Sequence, residues 1–333
     1  MKAVLIDQYG GPEVMRWGEA EQPSPGPGEI LVRVRAAGVN QADLTARANR
    51  YPERTPVPGI YFYPFRSLPA IPGIEIAGEV AEVGPGVSRW SPGDRVCGIS
   101  GTGAYAEYAR MLDWVAMPIP DGLDFAAGAA IPVAFLTAWL AISELMNVRR
   151  GETLLVHAVG AGVGQAMVQL GTLIGARVIG TEIAPEKLER AAALGLAAGC
   201  NTREHDFIAW AIDQTGGRGV DAVVDTLGGP VFAGSLRALA MNGRIVPLST
   251  TLGGTPEIEL GQIIGKHVSV FGMSTAAMLT PDRITRFRRE VLSAFPAQLT
   301  PIVDRTFPMA DAAESHRYLA AGAHFGKIVL TLE

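Results

Sequence analysis

Beyond about residue 126 the chain alternates apolar strands with long helical stretches at a spacing of about 25 residues, the pattern that repeated β-α units demand. Six segments carry the strand signal: 153–157, 177–181, 198–201, 220–225, 244–248 and 268–271. Six such strands fit a doubly wound parallel sheet. The helix expected over 185–194 opens on Pro185, where the missing N–H costs nothing, and carries Glu186 and Glu189 towards the positive end of its dipole.

Up to about residue 120 the pattern is different. Short alternating segments such as Leu31-Val32-Arg33-Val34-Arg35-Ala36 lie between turn signals at Pro25-Gly26-Pro27-Gly28, Pro85-Gly86 and Pro92-Gly93. Further strands are expected over 75–83, 95–99 and 104–111, so this half reads as antiparallel β, a partly open barrel. A chain of 333 residues exceeds what one core usually organises, and two domains leave a cleft between them. A last strand over 327–332 is expected to return to the first half. The predicted domains are therefore 1–125 with 276–333, and 126–275.

The chain is 48% hydrophobic and 18% charged with a net charge of -5, which gives no electrostatic reason to expect nucleic acid. No apolar run approaches the roughly 20 residues that span a bilayer. The amino terminus reads as a strand and not as a cleaved signal, because Asp7 interrupts it, so a cytoplasmic protein is expected. Its two cysteines, Cys97 and Cys200, are then free thiols.

The strand at 153–157 runs into Ala158-Val159-Gly160-Ala161-Gly162-Val163-Gly164 and then into an apolar helix. Glycine in such a turn lets the backbone approach a pyrophosphate, while the helix start supplies free N–H groups and a partial positive charge. The spacing is not G-x-G-x-x-G, but the strand before and the helix after point to dinucleotide binding. Glu182, at the end of the next strand, stands where a carboxylate grips the adenosine ribose hydroxyls and repels a 2′-phosphate, which favours NADH. Lys187, five residues on, and Arg203 would attract that phosphate instead, so NADH and NADPH both stay open.

Several motifs, in order, resemble the zinc-free quinone oxidoreductase group (zeta-crystallin-like) of the medium-chain dehydrogenase/reductase superfamily along nearly the whole chain. They are Ala37-Gly38-Val39-Asn40-Gln41-Ala42-Asp43, Ile71-Pro72-Gly73-Ile74-Glu75-Ile76-Ala77-Gly78 with Val83-Gly84, and Ala129-Ala130-Ile131-Pro132 with Leu136-Thr137-Ala138. Asp225-Thr226-Leu227-Gly228-Gly229 and Gly326-Lys327-Ile328-Val329-Leu330 complete the set. The resemblance implies an α/β protein with a GroES-like β-domain and a Rossmann domain, an NADPH cofactor and a homodimer. It implies cofactor contacts at Asn40, Thr137, Ala161, Gly162, Val163, Gly164 and Thr181, and also at Glu182, Lys187, Thr226, Ser249, Phe271, Met273 and Lys327. Ala161 and Thr202 depart from the group's usual residues and weaken the implied NADPH preference.

Zinc-dependent relatives hold catalytic zinc with a cysteine and a histidine at the positions that read Asn40 and Ile74 here, and their structural zinc needs four clustered cysteines. No metal site is expected. Without a Lewis acid the substrate must already be electrophilic, which a quinone or an activated alkene is. Asn40 is the first catalytic candidate, its amide donating to a substrate oxygen or to the nicotinamide ribose. Asp43 orients its neighbours or caps the following helix, and the Tyr51 phenol is the candidate proton donor. The segment Tyr61-Phe62-Tyr63-Pro64-Phe65 reads as a pocket wall for a flat ring, or equally as a dimer contact or surface flap. The rivals to quinone reduction are reduction of an enal or enoyl thioester, and cofactor binding without turnover.

Overall fold

The computed structural model describes residues 1–50, 65, 67–101, 103–249 and 252–332. Tyr51 and most of the aromatic segment lie outside these residues. The chain divides into two compact units, Met1–Val133 with Leu279–Glu333, and Ala134–Met278. The first unit contains β1 (Lys2–Ile6), β2 (Met15–Glu19), β3 (Glu29–Val39), β4 (Glu75–Val83), β5 (Arg95–Ile99), β6 (Tyr108–Leu112) and β7 (Met117–Pro118). The second contains β8 (Thr153–His157), β9 (Arg177–Glu182), β10 (Ala198–Asn201), β11 (Val220–Asp225), β12 (Leu239–Pro247) and β13 (Ser269–Val270). The first unit then closes with β14 (Val303–Pro308) and β15 (Lys327–Thr331).

In the first unit β3 is the central strand. Val32 and Val34 are buried while Arg33 between them is exposed, the alternation of a sheet with one wet face. The sheet order is β14-β15-β3-β4-β5-β7, with β6 pairing β3 as well. Two registers position the site. Ile328 lies opposite Val39 on β3, and Ile76 lies opposite Ala37. The first residues of β15 and β4, Lys327 and Glu75, therefore arrive at the same end of β3, where Asn40 starts the helix Gln41–Arg47.

Residues 104–107, expected within a strand, lie ahead of β6. Their backbone serves other partners: Tyr105 N–H donates to Pro72 O at 3.0 Å, and Tyr105 O accepts from Val4 N–H at 2.8 Å. The Tyr105 ring is wholly buried against Gly73, which holds φ +91°; a Cβ there would come within 2.3 Å of the ring. Phe65, at the end of the aromatic segment, is buried in a small core with Ile6, Ala46 and Ile74, its ring stacked on Tyr9.

The second unit is one parallel sheet in the order β10-β9-β8-β11-β12-β13. Strand order reverses between β8 and β11, and ligands of such sheets bind beyond the strand carboxyl ends at that point. The glycine-rich turn follows β8 directly. β12 begins at Leu239, ahead of the expected Arg244, because Leu239 pairs with Val220 before a register shift. The helix expected over 185–194 runs Pro185–Ala192 with proline in its first turn. Among the described residues no helix is long and apolar enough to cross a membrane.

Candidate active site

The first unit gathers a buried polar cluster around Asn40. Lys327 Nζ donates to Asn40 Oδ1 at 2.7 Å, to Val39 O at 3.2 Å and, closely, to Glu75 Oε1. Asn40 Nδ2 donates to the same Glu75 oxygen at 2.9 Å and to Gly38 O at 3.3 Å, while Glu75 Oε2 accepts from Val133 N–H at 2.8 Å. Lysine only donates and a carboxylate only accepts, so the flip of the Asn40 amide is unambiguous. Both of its N–H groups are committed inside the protein. The expectation that Asn40 donates to a substrate oxygen is therefore corrected: its amide N–H groups are spent, and a ligand can reach only Oδ1, which already takes Lys327 and faces the Asp43 backbone N–H in a capping box.

Asp43, in the first turn of the following helix, takes the Asn40 backbone N–H on Oδ2 at 2.8 Å, and the same oxygen accepts from Tyr105 OH at 2.8 Å. Behind Tyr105 stands His316, its Nε2 at 3.3 Å from the phenol and its Nδ1 at 2.6 Å from Arg47 Nη1. Asp43, Tyr105 and His316 are fully buried. Burial, and then the Arg47 charge, push the His316 pKa down to about 3.

The second unit presents the dinucleotide side. Ala161 precedes the helix Gly162–Leu173 and offers no side-chain cap, which leaves the first N–H groups of a long helix to a ligand. Gly164 packs so close to the turn that a Cβ would sit 2.1 Å from Ala158 O. Glu182 Oε2 accepts from Gly160 N–H at 3.1 Å and Oε1 from Ile183 N–H at 2.9 Å, with the Lys187 stem against Gly160. Thr181 Oγ1 lies 2.8 Å from His157 Nδ1, and His157 Nε2 lies 2.9 Å from Ser235 Oγ, which donates to Val231 O. Burial pushes the His157 pKa down to about 4, against the opposing field of Asp225. Thr226 Oγ1 donates to His157 O at 2.8 Å, and Thr137 and Thr275 share a hydrogen bond at 3.0 Å. Ser249, Phe271 and Met273 are half-buried near the ends of β12 and β13.

Asn40, Asp43 and Lys327 are thus brought together in one unit, and Ala161, Gly162, Val163, Gly164, Thr181, Glu182 and Lys187 in the other. Glu75, Tyr105, His316 and Arg47 had no assigned role. Glu75 carried a signal, a charge inside the apolar run Ile74 to Ala77; the other three carried none. Among the described residues no group of three or more His, Cys, Asp or Glu side chains is arranged to hold a metal ion. The donor chemistry does not fit zinc either, since Ile74 has no donor and the Asn40 amide is engaged. Cys97 and Cys200 are buried free thiols, pushed up by burial to about 12 and about 11.

The sheet order and the uncapped glycine turn define a two-domain protein of the dinucleotide-fold class. Residues 26–121 match the alcohol dehydrogenase GroES-like domain, and residues 162–292 match the zinc-binding dehydrogenase domain. The chain is 30% identical to rat (Rattus norvegicus) quinone oxidoreductase over 100% of its length and 98% of that protein's. It superposes on Escherichia coli quinone oxidoreductase complexed with NADPH with a TM-score of 0.90, at 28% identity and 100% coverage of both chains. The CurK enoyl reductase structure follows at 0.85, with 27% identity and coverage of 100% and 99%. The chain belongs to the zinc-free quinone oxidoreductase group of the medium-chain dehydrogenase/reductase superfamily.

Both buried histidines have folded pKa values below the unfolded value of about 6.5, so protonation favours the unfolded chain. Their contribution to stability is complete above pH ~6.5 and is lost as pH falls towards 4 and below, each adding a slope of at most ~1.4 kcal/mol per pH unit. Thermal midpoints measured from pH 7 to 4 are expected to fall, and His316→Gln is expected to flatten that fall. An equally steep profile in the variant would contradict the assignment.

Proposed function

We propose that the chain is an NAD(P)H-dependent reductase of quinones that works without a metal ion. The observation that carries the reading is the state of position 40, where a carboxamide locked between Lys327 and Glu75 stands in place of a metal-binding thiolate. With no Lewis acid, an acceptor must be electron-poor before it binds. Bound on the uncapped start of Gly162–Leu173, NAD(P)H would supply the hydride that, with one proton, turns a quinone into a hydroquinone.

The chain's own residues then bind and orient. The amide groups from Gly162 to Gly164 hold the pyrophosphate, and Glu182, already anchored by the Gly160 and Ile183 N–H groups, keeps a second lone pair on each oxygen for ribose hydroxyls. Asn40 Oδ1 accepts a donor from the nicotinamide end, and Tyr51 is the candidate source of the proton. Likeness to an enoyl reductase supports a second reading, in which an activated alkene takes the hydride.

An assay crossing NADH and NADPH with 1,4-benzoquinone and an enal, and NAD⁺ and NADP⁺ with a primary alcohol, tests this. Turnover with the quinone is expected; oxidation of the alcohol alone would refute it. The chain is also proposed to pair with a second copy through the β13 edge, where Leu260, Ile264 and Val270 are exposed. Sedimentation is expected to report a dimer, and to report a monomer for Ile264→Glu; a monomeric parent chain would remove the proposal.

A further inference from the structure

We infer that Tyr105 and His316 are positioning residues, links in a hydrogen-bond chain of one fixed direction that holds the Asn40 backbone while Lys327 and Glu75 orient its amide, so that Asn40 meets its ligand only as an acceptor. The inference rests on the reading above that Asn40 serves the nicotinamide end of the site.

Direction follows from donor chemistry. Arginine has no acceptor, so Arg47 Nη1 must donate to His316 Nδ1, which is therefore bare. A neutral imidazole then carries its hydrogen on Nε2 and gives it to the Tyr105 oxygen at 3.3 Å. The phenol spends its own hydrogen on Asp43 Oδ2 at 2.8 Å, and that oxygen also takes the Asn40 backbone N–H. The reverse direction is closed at both ends, because the guanidinium accepts nothing and the carboxylate donates nothing. All four side chains are buried, so water does not substitute for a missing link.

The chain of bonds begins and ends on one helix. Arg47 lies in the last turn of Gln41–Arg47 and Asp43 in the first, each charge at the end of the helix dipole that favours it. His316 comes from the helix Ala312–Ala321 and Tyr105 from the segment before β6, so two distant parts of the first unit clamp this short helix. Backbone capture by Asp43 and side-chain capture by Lys327 and Glu75 meet only at Asn40. With both amide N–H groups spent, any ligand group that reaches Asn40 must donate to Oδ1, sharing it with Lys327 and the Asp43 N–H of the capping box; a ribose hydroxyl or a carboxamide N–H is such a donor.

A double-mutant cycle of Asn40→Ala and Tyr105→Phe decides the matter. The readouts are kcat/KM for 1,4-benzoquinone, the dissociation constant of NADPH from its fluorescence, and that of AMP, which lacks the nicotinamide end. Tyr105→Phe is expected to lower kcat/KM about tenfold and weaken NADPH, to leave AMP within about twofold, and to cost nothing further in the Asn40→Ala background. The same loss in both backgrounds, an unchanged kcat/KM, or equal weakening of AMP and NADPH would overturn the positioning role. If Asn40→Ala alone changes neither turnover nor NADPH binding, the placement of Asn40 itself falls. Should Tyr105→Phe fail to fold, His316→Leu, which removes the donor towards Tyr105, takes its place with the same criteria.

Discussion

A lysine, a glutamate and an asparagine share one buried node at the end of β3, and the first unit is arranged around it. Taking an ammonium and a carboxylate out of water costs each several kcal/mol, which their attraction offsets only when every remaining donor and acceptor is also satisfied. Here they are: the Lys327 hydrogens reach Glu75, Asn40 and Val39 O, and the second Glu75 oxygen takes Val133 N–H. The registers of β15 and β4 on β3 make this possible, since a slip of one residue would turn Lys327 and Glu75 to the other face.

The second unit solves a similar problem with neutral groups. Ser235 donates to Val231 O and so accepts from His157 Nε2, which leaves His157 Nδ1 to accept the Thr181 hydroxyl. A neutral histidine thus ties the ends of β8 and β9 to the helix Pro230–Ala238, beside the glycine turn. In both units a buried histidine of defined tautomer holds a strand end or a helix start, and protonation at Nδ1 would displace the donor there, Thr181 in one and Arg47 in the other.

Local periodicity carries most of the fold. The strands 153–157, 198–201 and 220–225 have the bounds the sequence implies, because an apolar run between turns is a local signal. The site is only partly legible that way. Lys327 and Glu75 lie 252 residues apart, so their pairing leaves no local pattern. Tyr105 reads as a strand residue, and what removes it from the ladder is Pro72 O and Val4 N–H, partners far from it in sequence. The Asn40 amide was recognised, but its direction depends on which neighbours surround it, and only the fold supplies them.

If the buried pair serves to orient Asn40 more than to hold the unit together, replacing both charges should separate stability from turnover. Glu75→Gln combined with Lys327→Met keeps volume and removes both desolvation costs, so the thermal midpoint is expected to be retained or raised. The same variant is expected to lose at least about tenfold in quinone turnover, because a glutamine amide facing Asn40 removes the constraint on its flip. Full turnover in a stably folded double variant would contradict the account.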